Sequence, residues 1–209
     1  MLFRSMGGLG PRRIEMTEFG APTMPPYRVI DNEYSWLDET DLVFIDPVMT
    51  GYSRPAEGVD KKEFTGYVED IESVGQFIYL ATSRFQRWNS PKFLCGESYG
   101  TTRATGLSGH LQDRYGMYLN GVVLVSSILN FQTARFGKGN DLPFVLFLPT
   151  YSAIAWYHKK LGPEFPNLKS LLPAVEKFAI GEYATALMKG DQLTAAERDR
   201  KSTRLNSSH

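Results

Sequence analysis

A chain of 209 residues, 42% of them apolar, is long enough to bury one sizeable core. Its 23 basic residues balance its 23 acidic ones, so no basic face points to nucleic acid and no acidic tail to a basic partner. The 13% aromatic content argues against disorder, the single cysteine excludes an internal disulfide or a cysteine-rich metal site, and no apolar run reaches membrane-spanning length.

The two ends read differently from the middle. The stretch "DRKSTRLNSSH" (residues 199–209) back-translates, with permitted codons, into a string that looks like a common short-read sequencing adapter. "LFRS" (residues 2–5) fits the end of the companion adapter. Both are expected to be scars and are set aside from fold reasoning. Without Arg4, Asp199, Arg200, Lys201 and Arg204 the remaining sequence carries a net charge of about −3. On this reading the chain is a gene fragment cut at both ends, Met1 is not its natural start, and the lack of a secretory signal says little about compartment.

Strand and helix signals alternate along the middle. "DLVFIDP" (residues 41–47) is a short apolar run stopped by Asp-Pro, as a buried parallel strand would be. Residues 51–63, "GYSRPAEGVDKKE", are polar and glycine-containing and predict a loop. A long amphipathic helix follows, with Phe64, Val68, Ile71, Val74, Ile78 and Phe85 on one stripe. "NSP" (residues 89–91) stops it, "KFLC" (residues 92–95) is the next strand, a helix runs over about 99–114, and "NGVVLVSS" (residues 120–127) is a third strand. Strands joined by helices imply a parallel sheet covered by helices, an α/β class. From Leu142 to Ala195 the apolar pattern is helical, with no strand signal and no internal repeat.

The strand-to-helix junction carries Gly96-Glu97-Ser98-Tyr99-Gly100, a G-x-S-x-G sequence. In a nucleophile elbow the serine projects from a sharp turn above the sheet edge, and the glycines permit the close approach. The helix that begins there favours developing negative charge, and the backbone N–H of Tyr99 is a candidate oxyanion donor. The pattern alone is weak, since roughly one chain in fifteen of this length holds it by chance. Its position between a strand and a helix is what makes Ser98 a candidate nucleophile.

"NEYSW" (residues 32–36), "LVFIDPVMTGYSRP" (residues 42–55), "GESYGTTRA" (residues 96–104) and "NGVVLVSSILN" (residues 120–130) stand in an order and spacing that resembles the serine carboxypeptidases, especially bacterial members. The resemblance covers roughly residues 7–197. It implies an α/β-hydrolase fold with a helical insertion and a Ser-Asp-His triad that releases C-terminal residues from peptides. It also implies a peptide substrate with a free C-terminus, no metal or organic cofactor, and a periplasmic or secreted setting, since relatives are commonly exported. Residues 6–135 are then expected to form a partial hydrolase core, 136–198 a cap-like helical insertion, and 199–209 the adapter-derived tail.

The same resemblance implies what is missing. The family's glycine-rich segment, source of the second oxyanion N–H, precedes a motif like "GGLGPRRI" (residues 7–14), and its aspartate and histidine follow the insertion. Neither region falls within the chain, so the acid and base are expected outside it. His110 lies twelve residues beyond Ser98 on the same helix, about 18 Å along the axis at 1.5 Å per residue, and reads as a surface histidine. His158 reads as exposed beside Lys159 and Lys160, and His209 belongs to the tail. Asp46 precedes the serine, against this fold's Ser, Asp, His order, and reads as the residue holding the "DPVMTGYS" turn.

Glu97 occupies the place of the glutamate that, in serine carboxypeptidases, holds the substrate's terminal carboxylate; its other reading is a cap for nearby N–H groups. Many relatives pair it with a second glutamate where this chain has Gly8, which leaves Arg12 or Arg13 as alternative carboxylate ligands or as a solvated basic pair. Met49 replaces a glycine common in the family's turn, and Cys95 reads as a small core residue. The chain thus reads as a truncated, inactive serine carboxypeptidase fragment. The rivals are an esterase or acyltransferase on the same scaffold, and a non-catalytic binding module.

Overall fold

The computed structural model describes residues 9–198. The expectations for "LFRS", for Gly8 and for the tail from Asp199 fall outside them. The chain divides into two compact units, one ending at Ser127 and the other beginning at Ile128.

The first unit opens with a hairpin. Strand β1 (Arg12–Ile14) pairs antiparallel with β2 (Val29–Asp31), Arg13 opposite Ile30. The "NEYSW" stretch that follows ties the chain back to the beginning of the hairpin. Buried Asn32 donates through Nδ2 to the Gly10 carbonyl at 2.7 Å, and Ser35 Oγ donates to the Leu9 carbonyl at 3.3 Å. Ser35 Oγ also accepts from the Leu37 N–H and caps a single turn, Trp36–Asp38.

Residues 41–47 are extended but pair with no strand among the described residues, contrary to the strand expected there. An apolar run becomes a strand only when neighbouring strands satisfy its N–H and C=O groups. Here Ile45 packs against the core while Val43 and Phe44 stay exposed. The expected long helix is interrupted near its start. A single turn α1 (Lys62–Thr65) ends at Gly66, and α2 (Tyr67–Arg84) carries the long amphipathic face. Ile71 and Val74 are buried on it, whereas Val68 and Phe85 at its margins are exposed.

Strand β3 (Phe93–Glu97), helix α3 (Tyr99–Tyr115) and strand β4 (Gly121–Val125) form one βαβ unit. β3 and β4 pair in parallel, Cys95 beside Val123, and parallel partners require such a helical crossover. Gly116 stops α3 in a left-handed conformation, φ 60°, where glycine carries no Cβ penalty. Its N–H bonds the Gln112 carbonyl and the Met117 N–H bonds the Leu111 carbonyl, satisfying the last turn. The core lies between α2, α3 and one face of the strands: Ile71, Val74, Leu107, Leu111 and Met117, with Leu94 and Ile78 against it.

The sheet has only these two strands among the described residues, and Phe93 and Cys95, on the side of β3 away from Leu94, are exposed. That overturns the core reading of Cys95. His110 corrects in the opposite sense. It is wedged against α2, with its imidazole where a Cβ on Gly75 would be, its ring edge-on to Tyr115 at 5.7 Å, and its Nε2 buried without a hydrogen bond. His158, just past its helix, is exposed as expected.

The second unit contains helices and no strand among its described residues. Helix α4 (Leu142–Tyr157) packs against α5 (Leu168–Phe178), which Asn167 caps by accepting the Ser170 N–H at 3.0 Å. A wider turn, Ala179–Tyr183, leads into α6 (Ala184–Lys189), and Leu148, Ala179 and Tyr183 form the core. Beyond α6, Thr194 and Glu197 make a capping box: the Thr194 N–H donates to the Glu197 carboxylate at 2.9 Å and the Glu197 N–H to Thr194 Oγ1 at 3.3 Å. Lys189 and these N–H and O–H donors hold the Glu197 carboxyl down at about 2. A carboxyl so depressed favours the folded form above its ordinary range and loses that contribution as pH falls through about 2.

Candidate active site

Ser98 stands between the last residue of β3 and the first of α3, with φ 55° and ψ −122°, a backbone combination that an L-residue adopts only under constraint. Three hydrogen bonds impose it. The Ser98 N–H continues the parallel ladder by donating to the Val125 carbonyl at 3.0 Å. The Ser98 carbonyl accepts both the Thr101 N–H at 2.9 Å and Thr101 Oγ1 at 2.7 Å. Thr101 is completely buried, so both bonds are shielded from water.

Gly96 makes the turn sterically feasible. A Cβ there would overlap the Gly100 carbonyl and lie 2.8 Å from the Thr101 nitrogen. Gly96 and Gly100 are buried while Glu97, Ser98 and Tyr99 face outward, so the five residues of the motif are brought together as one exposed turn. The Ser98 side chain does not cap α3, which leaves its hydroxyl available above the helix N-terminus. The Glu97 residue is exposed.

Behind the turn lies a charged pair that sequence reasoning missed. Arg103 Nε on α3 donates to Asp70 Oδ2 on α2 at 2.7 Å, with side chains only 11% and 8% exposed. The guanidinium carbon also sits 5.3 Å from the centroid of the Tyr99 ring. Burial, and after it the Asp70 charge, pushes the Tyr99 phenol up. One signal was available: Asp70 lies four residues before Val74 and so shares its buried face. Partial burial likewise pushes the Cys95 thiol up.

Other predicted residues are placed elsewhere. Arg13 is not part of a solvated basic pair. It grips Glu33 through Nη2 at 2.8 Å and Nε at 3.3 Å, and that bond holds the Glu33 carboxyl below its ordinary range. Arg12 pairs with Asp31 at 3.4 Å. Asp46 does hold its turn: Oδ2 accepts the Tyr52 N–H at 3.4 Å, and the Asp46 carboxylate fills the space a Cβ on Gly51 would need. No histidine hydrogen bonds to Ser98 among the described residues. Two cavities, of about 430 Å³ beside Glu15 and Arg28 and about 280 Å³ beside Tyr183 and Lys189, do not include it.

Compared with protein-family models, residues 8–135 match the one described as serine carboxypeptidase. The chain belongs to the serine carboxypeptidase family. The match takes in both strand pairs and the whole Gly96–Gly100 turn. A comparison with curated proteins gave no match.

Met49 has φ 71°, inside the turn closed by Met49 N–H to the Ser53 carbonyl and Thr50 N–H to the Pro47 carbonyl. A glycine would meet no Cβ penalty there. Met49→Gly is therefore expected to stabilise the chain by about 0.5–1 kcal/mol, the relieved strain less the added freedom of the unfolded glycine. A lower urea midpoint in that variant would show that the Met49 side chain contributes more packing than its backbone costs.

Proposed function

We propose that this chain is the nucleophile-bearing part of a serine carboxypeptidase with the α/β-hydrolase fold, and that Ser98 is the nucleophile. The observation that carries the proposal is the constrained backbone of Ser98 at the C-terminal end of β3, with its hydroxyl uncommitted. Ser98 Oγ would bond to the last peptide carbonyl carbon while a histidine takes its proton. The same histidine would return that proton to the leaving amine as the C–N bond breaks. Water, activated by the histidine, would then release the acyl group. The Tyr99 N–H would stabilise the oxyanion, helped by the N-terminal dipole of α3. Gly96 and Gly100 are the residues that let the turn form.

Glu97 would bind the terminal carboxylate of the peptide. Two facing carboxylates attract only through a shared proton, so Glu97→Gln keeps a usable N–H donor and Glu97→Ala does not. The general base would come from outside the described residues, as the family resemblance implies, since His110 on the serine's own helix is wedged against α2. The 209-residue chain by itself is accordingly expected to release no residues from peptides.

The test uses the complete gene product. A fluorophosphonate probe, followed by peptide mass spectrometry, should modify Ser98. A blocked dipeptide with a free C-terminus should be cleaved, its C-terminal amide should not, and Glu97→Ala should raise KM for the free acid. Modification elsewhere, or turnover of esters without peptides, would overturn the reading.

A further inference from the structure

We infer that Arg103 is a positioning residue for the elbow, and that it acts by holding the Tyr99 ring and so the direction of the Tyr99 backbone N–H. The inference rests on the role proposed for that N–H in oxyanion binding. Tyr99 is the first residue of α3, where the N–H groups have no intrahelical acceptor and their direction depends on how the first turn is held. Thr101 fixes the Ser98 carbonyl from one side. On the other side the only partly exposed ring of Tyr99, at 39%, lies against the Arg103 guanidinium.

That guanidinium is itself immobilised. Its Nε is bonded to Asp70 on the neighbouring helix, and its Nη1 is buried with no hydrogen-bond partner among the described residues. A buried donor without an acceptor is costly, and the electron-rich face of an aromatic ring is the compensation within reach. The ring and the cation therefore hold each other, and Arg103 prevents the ring from rotating with the helix end. A lysine in the same place would keep the ion pair with Asp70 and lose the planar contact.

Amide hydrogen exchange on the 209-residue chain separates local from global effects. In Tyr99→Leu and in Arg103→Lys, the Ser98 and Thr101 amides are expected to exchange about tenfold faster, while Leu107 and Leu111, deep in α3, stay within about twofold. Tyr99→Phe, which keeps the ring face, should show a clearly smaller rise at the elbow amides than Tyr99→Leu. Unchanged elbow amides in Tyr99→Leu, a uniform rise along α3, or a Tyr99→Phe effect as large as that of Tyr99→Leu would each overturn the inference. Should Arg103→Lys fail to fold, the two Tyr99 variants still decide it. On the complete enzyme, Arg103→Lys should lower kcat about tenfold with KM within about threefold, and an unchanged kcat would also count against it. The exchange result stands whether or not the fluorophosphonate probe finds Ser98, so failure of this inference and failure of the proposed function remain distinguishable.

Discussion

Asp70→Ala is expected to destabilise the first unit by about 3–5 kcal/mol, because it leaves the Arg103 guanidinium buried with no counter-charge. The pair is nearly inaccessible to water, so little of this loss can be recovered by solvation. Asp70→Asn keeps the shape and one oxygen acceptor and should lose less, about 1–3 kcal/mol. Replacing both partners together, Asp70→Leu with Arg103→Met, removes the charge problem and should recover much of the loss. Urea unfolding of the parent, Asp70→Leu, Arg103→Met and the double variant forms a double-mutant cycle. Additive losses in that cycle would mean that the two side chains, although 2.7 Å apart, contribute independently.

Gly96→Ala should be as damaging for a different reason. The added methyl meets main chain, the Gly100 carbonyl and the Thr101 nitrogen, and main chain cannot rotate aside as a side chain can. Either the elbow opens or the α3 N-terminus lifts off β3, and a loss of about 3 kcal/mol or more is expected. Gly109→Ala is the matched control in the same helix. Nothing lies within 4 Å of a Cβ there, and the substitution should stabilise by about 0.5–1 kcal/mol through helix propensity. Equal and small effects at both positions would mean that the close approach at Gly96 yields easily.

Parts of this arrangement were legible in the sequence because they depend on near neighbours. The elbow is one: glycines at 96 and 100 and a serine between a β-rich run and a helical one specify a local turn. Other parts depend on what the chain meets in space. Residues 41–47 have the composition of a strand, yet pairing is a property of two segments and no described strand lies beside this one. Cys95 was assigned to the core on the assumption that its side of the sheet is covered, and among the described residues it is exposed. Asp70 and Arg103 are ordinary charged helix residues by composition. The spacing to Val74 could place Asp70 on the buried face, but only the packing of α2 on α3 reveals Arg103 as its partner. Met49 was noted as a missing glycine, but the sequence alone does not show that its φ is positive.

The bond from the Ser98 N–H to the Val125 carbonyl has a consequence for the order in which the chain folds. Neither the turn nor α3 can hold Ser98 in its constrained backbone alone, since part of the restraint comes from a residue beyond the entire crossover helix. The loop between them must close before the ladder can reward it, so the strained serine is a late product of folding, formed with the strand pairing. A nascent chain that had not yet reached Val125 would carry the whole G-x-S-x-G motif in a relaxed turn. In this family member the constrained backbone of Ser98 would then be timed by the arrival of β4.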